Sequence, residues 1–421
     1  MPISSTAIEA ICTLEAMRLG VVPELGVRAY TVGQPGVVSA LEGLVGQTSD
    51  QSVVALLGDY GAGKTHWLEI ASAMALEAGF VCARVVLSPE ETSPSHPQRV
   101  YRALMAQLRY PDTSRDDHGL KPLLDAAVAS PEALAAFCVD QARDVRRHLD
   151  RGAHLYLTPA LAYWRHLDKH PQARARLLNW LEGQPTGIGS DLGAELREAC
   201  GGRGHLYALK DYRPWARIYA YLLDGISAMA RAVGYKGLVV LVDEAEFYAL
   251  LAEDHRAHAL NLFQSLAWAA SGTRGLAVLP FVEDDVGHGG AGVQRELEPL
   301  FSNGSGLRVV FAMTPDPEGV GALGASLPEE ARVEIPPLGQ DDYTALAGRV
   351  CDFYRAAYPD ALIPAGVTGP LGKVLQGLLR TGQVENPRQA MKFVIEFLDT
   401  VRYHPSEVVA VIDGIRTSSY F

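Results

Sequence analysis

The stretch Val53-Val54-Ala55-Leu56-Leu57-Gly58-Asp59-Tyr60-Gly61-Ala62-Gly63-Lys64-Thr65-His66-Trp67 decides the fold. Its five leading apolar residues predict a buried strand. Gly58–Thr65 reads G-x-x-x-x-G-K-T, and Trp67, Leu68, Ile70 and Met74 follow at helical spacing. Strand, glycine loop and helix in that order are the context a phosphate-binding loop requires. Glycines let successive backbone N–H groups turn inward on phosphate oxygens, and the positive end of the next helix closes the cup. Gly58, Tyr60, Gly61, Ala62, Gly63, Lys64, Thr65 and His66 therefore border a nucleotide in this reading, with ATP as the cofactor. Lys64 is placed to reach its β- and γ-phosphates, and the Thr65 hydroxyl to ligate Mg²⁺. The alternative is a chance glycine turn before a helix, which the full motif in its context disfavours.

A phosphate loop needs an acidic strand to hold the metal and the attacking water. Gly237-Leu238-Val239-Val240-Leu241-Val242-Asp243-Glu244-Ala245-Glu246 fits, as an apolar run ending in two carboxylates at the edge where ligands bind in open α/β sheets. Asp243 is expected to orient Mg²⁺ through its water shell, and Glu244 to polarise the water that attacks the γ-phosphate. Glu246 is expected to cap or to pair with a neighbouring basic group. A third run, Leu307–Met313, ends in Thr314-Pro315-Asp316. There the Thr314 hydroxyl either touches the γ-phosphate and the attacking water or caps the following turn.

Val81–Leu87 and Arg332–Pro336 complete five strands separated by helical patterns, which predicts a five-stranded, mainly parallel α/β sheet flanked by helices. Gly275–Val282 contains Pro280 and reads as an edge strand or inserted hairpin. The expected organisation is an N-terminal segment with the first part of the core (1–111), a long, mainly helical insertion (112–215), the second part of the core (216–337) and a small C-terminal helical lid (338–421). In the lid, Asp341 can cap a helix through Tyr343 and Phe353, and Asn386 with Pro387 can start the last long helix. Arg388 in that first turn either reaches across to the nucleotide or is an ordinary surface arginine.

The chain has 421 residues, 48% apolar and 20% charged, and a net charge of −12. That composition is ordinary for a soluble globular protein and excludes one basic all round that grips nucleic acid unaided. Between Arg143 and Arg176 lie Arg146, Arg147, Arg151, Arg165, Lys169 and Arg174 against only Asp144, Asp150 and Asp168. This cluster reads as a solvated helix face or as a patch facing DNA or a partner. Five scattered cysteines, with no C-x-x-C pair, suggest reduced thiols and no zinc site. No run reaches the ~18 apolar residues of a membrane span, and no signal-like N-terminus is seen. A cytoplasmic location without membrane attachment is expected.

Arg18-Leu19-Gly20-Val21-Val22-Pro23, Tyr30-Thr31-Val32-Gly33, the Gly58–His66 loop, Arg99–Leu104, Val242–Glu246 and the Thr314-Pro315 strand end together resemble the P-loop ATP-binding proteins of BREX phage-defence systems, the BrxD-like family. The resemblance implies an ATPase related to the Cdc6/Orc and STAND branches of the AAA+ class, working with other defence components (helicase, methyltransferase or larger ATPase) on DNA. It gives Thr314 the role called sensor 1, Arg388 that called sensor 2, and Val32-Gly33 a place at the adenine. In the Cdc6-type pattern an arginine and an acid follow that Val-Gly, whereas this chain has Gln34-Pro35. A winged helix after the lid is not expected, because only a short tail follows Asp399.

The leading functional expectation is a Mg²⁺-dependent ATPase that remodels or loads a DNA-acting partner. A slow-hydrolysing, ATP-bound switch is the alternative, and a small-molecule kinase a distant third. Arg213, Arg217, Arg295 and Arg332 are open candidates for a transition-state arginine. A neighbouring subunit could also supply one, which leaves a homo-oligomer open.

Overall fold

The structure, a computed structural model, describes residues 5–23, 26–46, 51–111, 117–185, 189–271, 304–315, 327, 329–361, 363 and 366–404. Its sheet consists of β1 (Val53–Leu57), β2 (Val81–Val86), β3 (Leu238–Asp243), β4 (Arg308–Met313) and β5 (Arg332–Glu334). All five are parallel, in the order β2-β3-β4-β1-β5. Every residue of β1 and β3 is buried, as continuous Val/Leu runs covered on both faces should be. The register sets Val242 beside Phe311 and Leu57 beside Met313. Asp243 then falls level with Val86 at the C-terminal edge. The five strands expected from sequence are the five observed, with ends moved by a residue or two. Gly275–Val282, Arg295 and Asp316 lie outside the described residues.

Helices α1 (Ser5–Leu19), α2 (Val27–Tyr30) and α3 (Pro35–Val45) precede β1, and α4 (Lys64–Glu77) follows the glycine loop. After β2 come α5 (Pro97–Ala106), α6 (Lys121–Ala129), α7 (Pro131–Ala136), α8 (Leu157–Trp164), α9 (Pro171–Leu181) and α10 (Gly189–Cys200). Around β3 lie α11 (Ala216–Ala232) and α12 (Glu253–Ser271), and the chain continues with α13 (Gln340–Ala357), α14 (Thr368–Arg380) and α15 (Pro387–Tyr403). Prolines 97, 131, 171 and 387 each open a helix, where a missing N–H costs nothing. No single helix among the described residues is long and apolar enough to cross a membrane.

Two compact units emerge, one of Ala40–Leu57 with Ala71–Val333 and one of Met1–Ser39, Gly58–Ile70 and Glu334–Phe421. In the first, sheet and insertion share a core: Val240 and Phe311 belong to the same apolar cluster as Trp164, Leu177 and Trp180. The segment Val139–Arg151 is a 3₁₀ helix with a break at Asp144, not the α-helix that three- and four-residue arginine spacings suggest. Its buried residues, Val139, Ala142 and Val145, recur every three positions, the 3₁₀ period. Arg143, Arg146, Arg147 and Arg151 consequently do not share one α-helical face.

In the second unit, α1 packs on α13 and α15, burying Leu14, Met17, Val350, Tyr354 and Leu398. Arg18 pairs with Asp399 at 2.8 Å, and the Tyr354 hydroxyl donates to the same carboxylate at 2.7 Å. Helix α13 is capped by Gly339, not by Asp341. The Asp342 carboxylate reaches back to accept the Gly339 N–H at 2.9 Å, which fixes the entry of the chain two residues earlier than expected.

Candidate nucleotide site

The glycine loop is folded as its motif demands. Gly61 (φ +84°) and Gly63 (φ +97°) lie in the left-handed region, which side-chain-bearing residues rarely adopt. The Ala62 N–H donates to the Asp59 carbonyl at 3.0 Å, and α4 is joined to the loop by the Trp67 N–H donating to the Gly63 carbonyl at 3.0 Å. Lys64 is buried, and its ammonium donates to the Gly58 carbonyl at 3.0 Å, with the Asp59 carbonyl at 3.5 Å. Its charge is thus held over the concavity of its own loop. Gly58 is closely packed, since a Cβ there would stand 3.1 Å from Ile335 and 3.2 Å from Ala62. Tyr60 at the tip is 82% exposed, and Thr65 sits in the first turn of α4.

The segment before α3 braces the first turn of α4. Thr31 Oγ1 donates to the Val27 carbonyl at 2.8 Å and therefore accepts from His66 Nε2–H at 2.9 Å. Burial lowers the His66 pKa to about 4, so the ring is neutral at pH 7. Gln34, itself in the left-handed region (φ 57°), accepts from Trp67 Nε1 at 2.6 Å and donates to the Pro336 carbonyl at 2.5 Å. This explains the glutamine where the resembling pattern has arginine: Gln34 is a buried clamp on α4. Gly33 (φ +67°) lies against Asp342, whose Cγ would meet a Cβ at 2.9 Å, and Val32 is partly buried beside it. Tyr30 packs between His66 and Phe353 at ring separations of 5.0 and 6.3 Å. Burial first, and then the Glu69 charge, push its phenol above the ordinary range.

In the other unit, the carboxyl end of β3 carries the acids. Asp243 is 2% exposed; its Oδ2 lies 2.6 Å from an Arg84 guanidinium nitrogen, and its Oδ1 accepts the Glu244 N–H at 3.0 Å. Glu244 adopts φ 58°, ψ 37°, a left-handed conformation that costs a non-glycine residue on the order of 1–2 kcal/mol. Such strain at a strand end is a pointer to function. The Thr314 hydroxyl donates to Glu246 Oε1 at 2.5 Å, joining the ends of β3 and β4. That hydroxyl is one polar partner of Glu246.

Arg388 lies in the first turn of α15, exposed, with its stem over Gly20: a Cβ on Gly20 would meet Arg388 Cδ at 3.1 Å. Asn386, the residue just before α15, is set against the glycine loop at Gly61. Within the basic cluster, Arg143 donates to the Gly202 carbonyl at 2.8 and 3.0 Å, and Arg146 to the Tyr207 hydroxyl at 2.8 Å. Arg165 pairs with Asp140, Arg174 with Asp125 and Asp168, and Arg176 with Glu195. Arg147, Arg151 and Lys169 remain exposed. Of the transition-state candidates, Arg217 is a core residue 5.1 Å from the Trp268 ring centroid, and Arg213 donates to His96 Nε2 at 3.3 Å.

Sequence reasoning missed Arg84, Gln34 and Asn386 as neighbours of these groups. Arg84 could have been noticed as a lone charge inside an apolar strand run, since such a charge needs a buried partner.

A parallel sheet whose β1 runs into a complete glycine-lysine loop defines a P-loop nucleotide-binding protein. The family model described as BREX system ATP-binding protein BrxC/D matches residues 4–278, and the chain belongs to that family. No curated protein and no solved structure gives a significant match.

Proposed function

We propose that this protein is a Mg²⁺-dependent ATPase of the AAA+-like kind, which uses ATP binding and hydrolysis to remodel or load a partner in BREX-type defence. The observation that carries the reading is the loop itself: a full motif with left-handed Gly61 and Gly63 and a buried lysine resting on it. Backbone N–H groups of Gly61, Gly63, Lys64 and Thr65 would take the phosphates, and Lys64 would leave its loop carbonyls for the more strongly accepting phosphate oxygens. Glu244 would take up a proton from the attacking water, held at its position by the strained turn. Thr314, bonded to Glu246, would orient that water or the γ-phosphate.

The donor set suits Mg²⁺, which prefers hard oxygens and keeps several waters. Thr65 offers a hydroxyl, and Asp243, with both oxygens already engaged, suits a role through metal-bound water. When bound, the ion would neutralise charge building on the β- and γ-oxygens. Val32 and Gly33 are proposed to border the adenine.

A net charge of −12 favours action through a protein partner, such as a helicase, methyltransferase or larger ATPase of the same system. The exposed Arg147, Arg151 and Lys169 are the residues of the 143–176 segment best available to DNA phosphates. Phosphate release from ATP, measured with Mg²⁺ or EDTA and with or without duplex DNA, tests the reading. Mg²⁺-dependent turnover is expected, and tight ATP binding without turnover would favour the switch alternative.

A further inference from the structure

The residue that opens α15 lies against the glycine loop at Gly61, and it is Asn386, not the arginine that the sequence brings forward. A Cβ placed on Gly61 would stand 2.8 Å from Asn386 Cβ, 2.9 Å from its Cγ and 3.0 Å from its Nδ2. The Asn386 carboxamide therefore fills the space where a side chain at Gly61 of the phosphate loop would stand. Its orientation is fixed from the other side, because Oδ1 accepts the Gln389 N–H at 3.1 Å and so caps α15. With Oδ1 committed to the cap, Nδ2 and its two protons are turned to the loop, and no acceptor takes them among the described residues. This half-buried amide therefore borders the same loop whose Gly58 carbonyl accepts from the Lys64 ammonium. The Arg388 side chain lies over Gly20 instead.

We infer that Asn386 is the residue through which the C-terminal helices read the bound nucleotide, its Nδ2 donating to the terminal phosphate of ATP, a contact that ADP lacks. The inference rests on the ATP reading above and adds to it the group that distinguishes triphosphate from diphosphate. The geometry also accounts for Gly61. Any side chain there would strike the Asn386 carboxamide before it could approach a phosphate.

The experiment compares Mg²⁺-ATP and Mg²⁺-ADP affinities by calorimetry on the full chain, for wild type, Asn386→Ser and Asn386→Asp. Serine and aspartate cap helices about as well as asparagine, so the cap survives while the amide donor is lost. Asn386→Ser is expected to weaken ATP about tenfold, the effect of one hydrogen bond to a charged group, and to leave ADP unchanged. Asn386→Asp should weaken ATP further by setting a carboxylate against the phosphate. Both should melt with wild type in the absence of nucleotide, which a purely structural role for Asn386 would not allow together with a changed ATP-to-ADP ratio. An unchanged ratio in Asn386→Ser overturns the inference, as does a ratio abolished by Arg388→Ala while Asn386→Ser retains it. Wild-type protein that binds neither nucleotide would instead overturn the ATP reading on which the inference stands.

Discussion

Replacing Arg84 by methionine removes the charge 2.6 Å from Asp243 while keeping most of the side-chain volume. Asp243 is 2% exposed, so it cannot recover its lost partner from water. Breaking a buried pair from one side costs about 3–5 kcal/mol, since it strands the remaining charge. The Arg84 side chain is 23% exposed, which places its own interaction in partly screened surroundings and moves the expectation to about 2–3 kcal/mol. Asp243→Asn should cost less, about 1–2 kcal/mol, because a partly exposed guanidinium can turn to solvent. If the two residues act on each other, Arg84→Met in the Asp243→Asn background should add little. The double-mutant cycle then yields a coupling close to the Arg84→Met cost itself, about 2–3 kcal/mol. Urea unfolding followed by circular dichroism and tryptophan fluorescence supplies the four free energies, with the sheet-containing unit's transition fitted separately. A coupling below about 0.5 kcal/mol would show that the pair is geometric only, and the electrostatic account of the β3 edge would fail.

Other expectations concern protonation, turnover and the basic segment. His66 has a folded pKa of about 4 against about 6.5 unfolded, so the unfolded chain binds its proton first. Its stabilisation is complete above pH 6.5 and falls by about 1.4 kcal/mol per unit as pH drops toward 4. The stability gap between wild type and His66→Gln should narrow over that window, and a gap constant from pH 7 to 4.5 contradicts a buried neutral ring. Glu244→Gln should keep ATP affinity and lose about 10²–10⁴-fold in turnover. Near-normal phosphate release by that variant would move the water-activating role to Glu246 or elsewhere. Changing Arg147 and Arg151 together to Glu should weaken duplex DNA binding and lower its log–log salt slope by about 2, one per lost phosphate contact. An untouched affinity and slope would leave these arginines as a solvated surface.

The strands were legible because each is a run of consecutive apolar residues, the pattern that burial on both faces imposes. Their order was not, because the placing of β4 between β3 and β1 is a long-range choice that no local window carries. The loop was read residue by residue, since its chemistry is local: Gly61 and Gly63 must take positive φ, and Lys64 must follow them. The Asp243–Arg84 pair was not read, because its members are far apart in sequence and meet only through the β2–β3 register. The 3₁₀ helix was visible in principle in the spacing of Val139, Ala142 and Val145, but the charges around them drew the reading to an α-helical face. Asn386 was recognised as a cap and not as a neighbour of the loop. The cap is a matter of residues 386–389 alone, whereas the contact with Gly61 depends on how α15 folds back in its unit.

The central claim, that the Gly58–Thr65 loop holds ATP, is tested most directly by equilibrium binding of ATP in Mg²⁺ to wild type and to Lys64→Ala. The variant removes the ammonium that would bind the β- and γ-phosphates, including its hydrogen bonds to the Gly58 and Asp59 carbonyls. Wild type should bind ATP, and Lys64→Ala should lose that binding while keeping the wild-type circular dichroism spectrum and melting transition. A folded Lys64→Ala protein that binds ATP as wild type does would contradict the account.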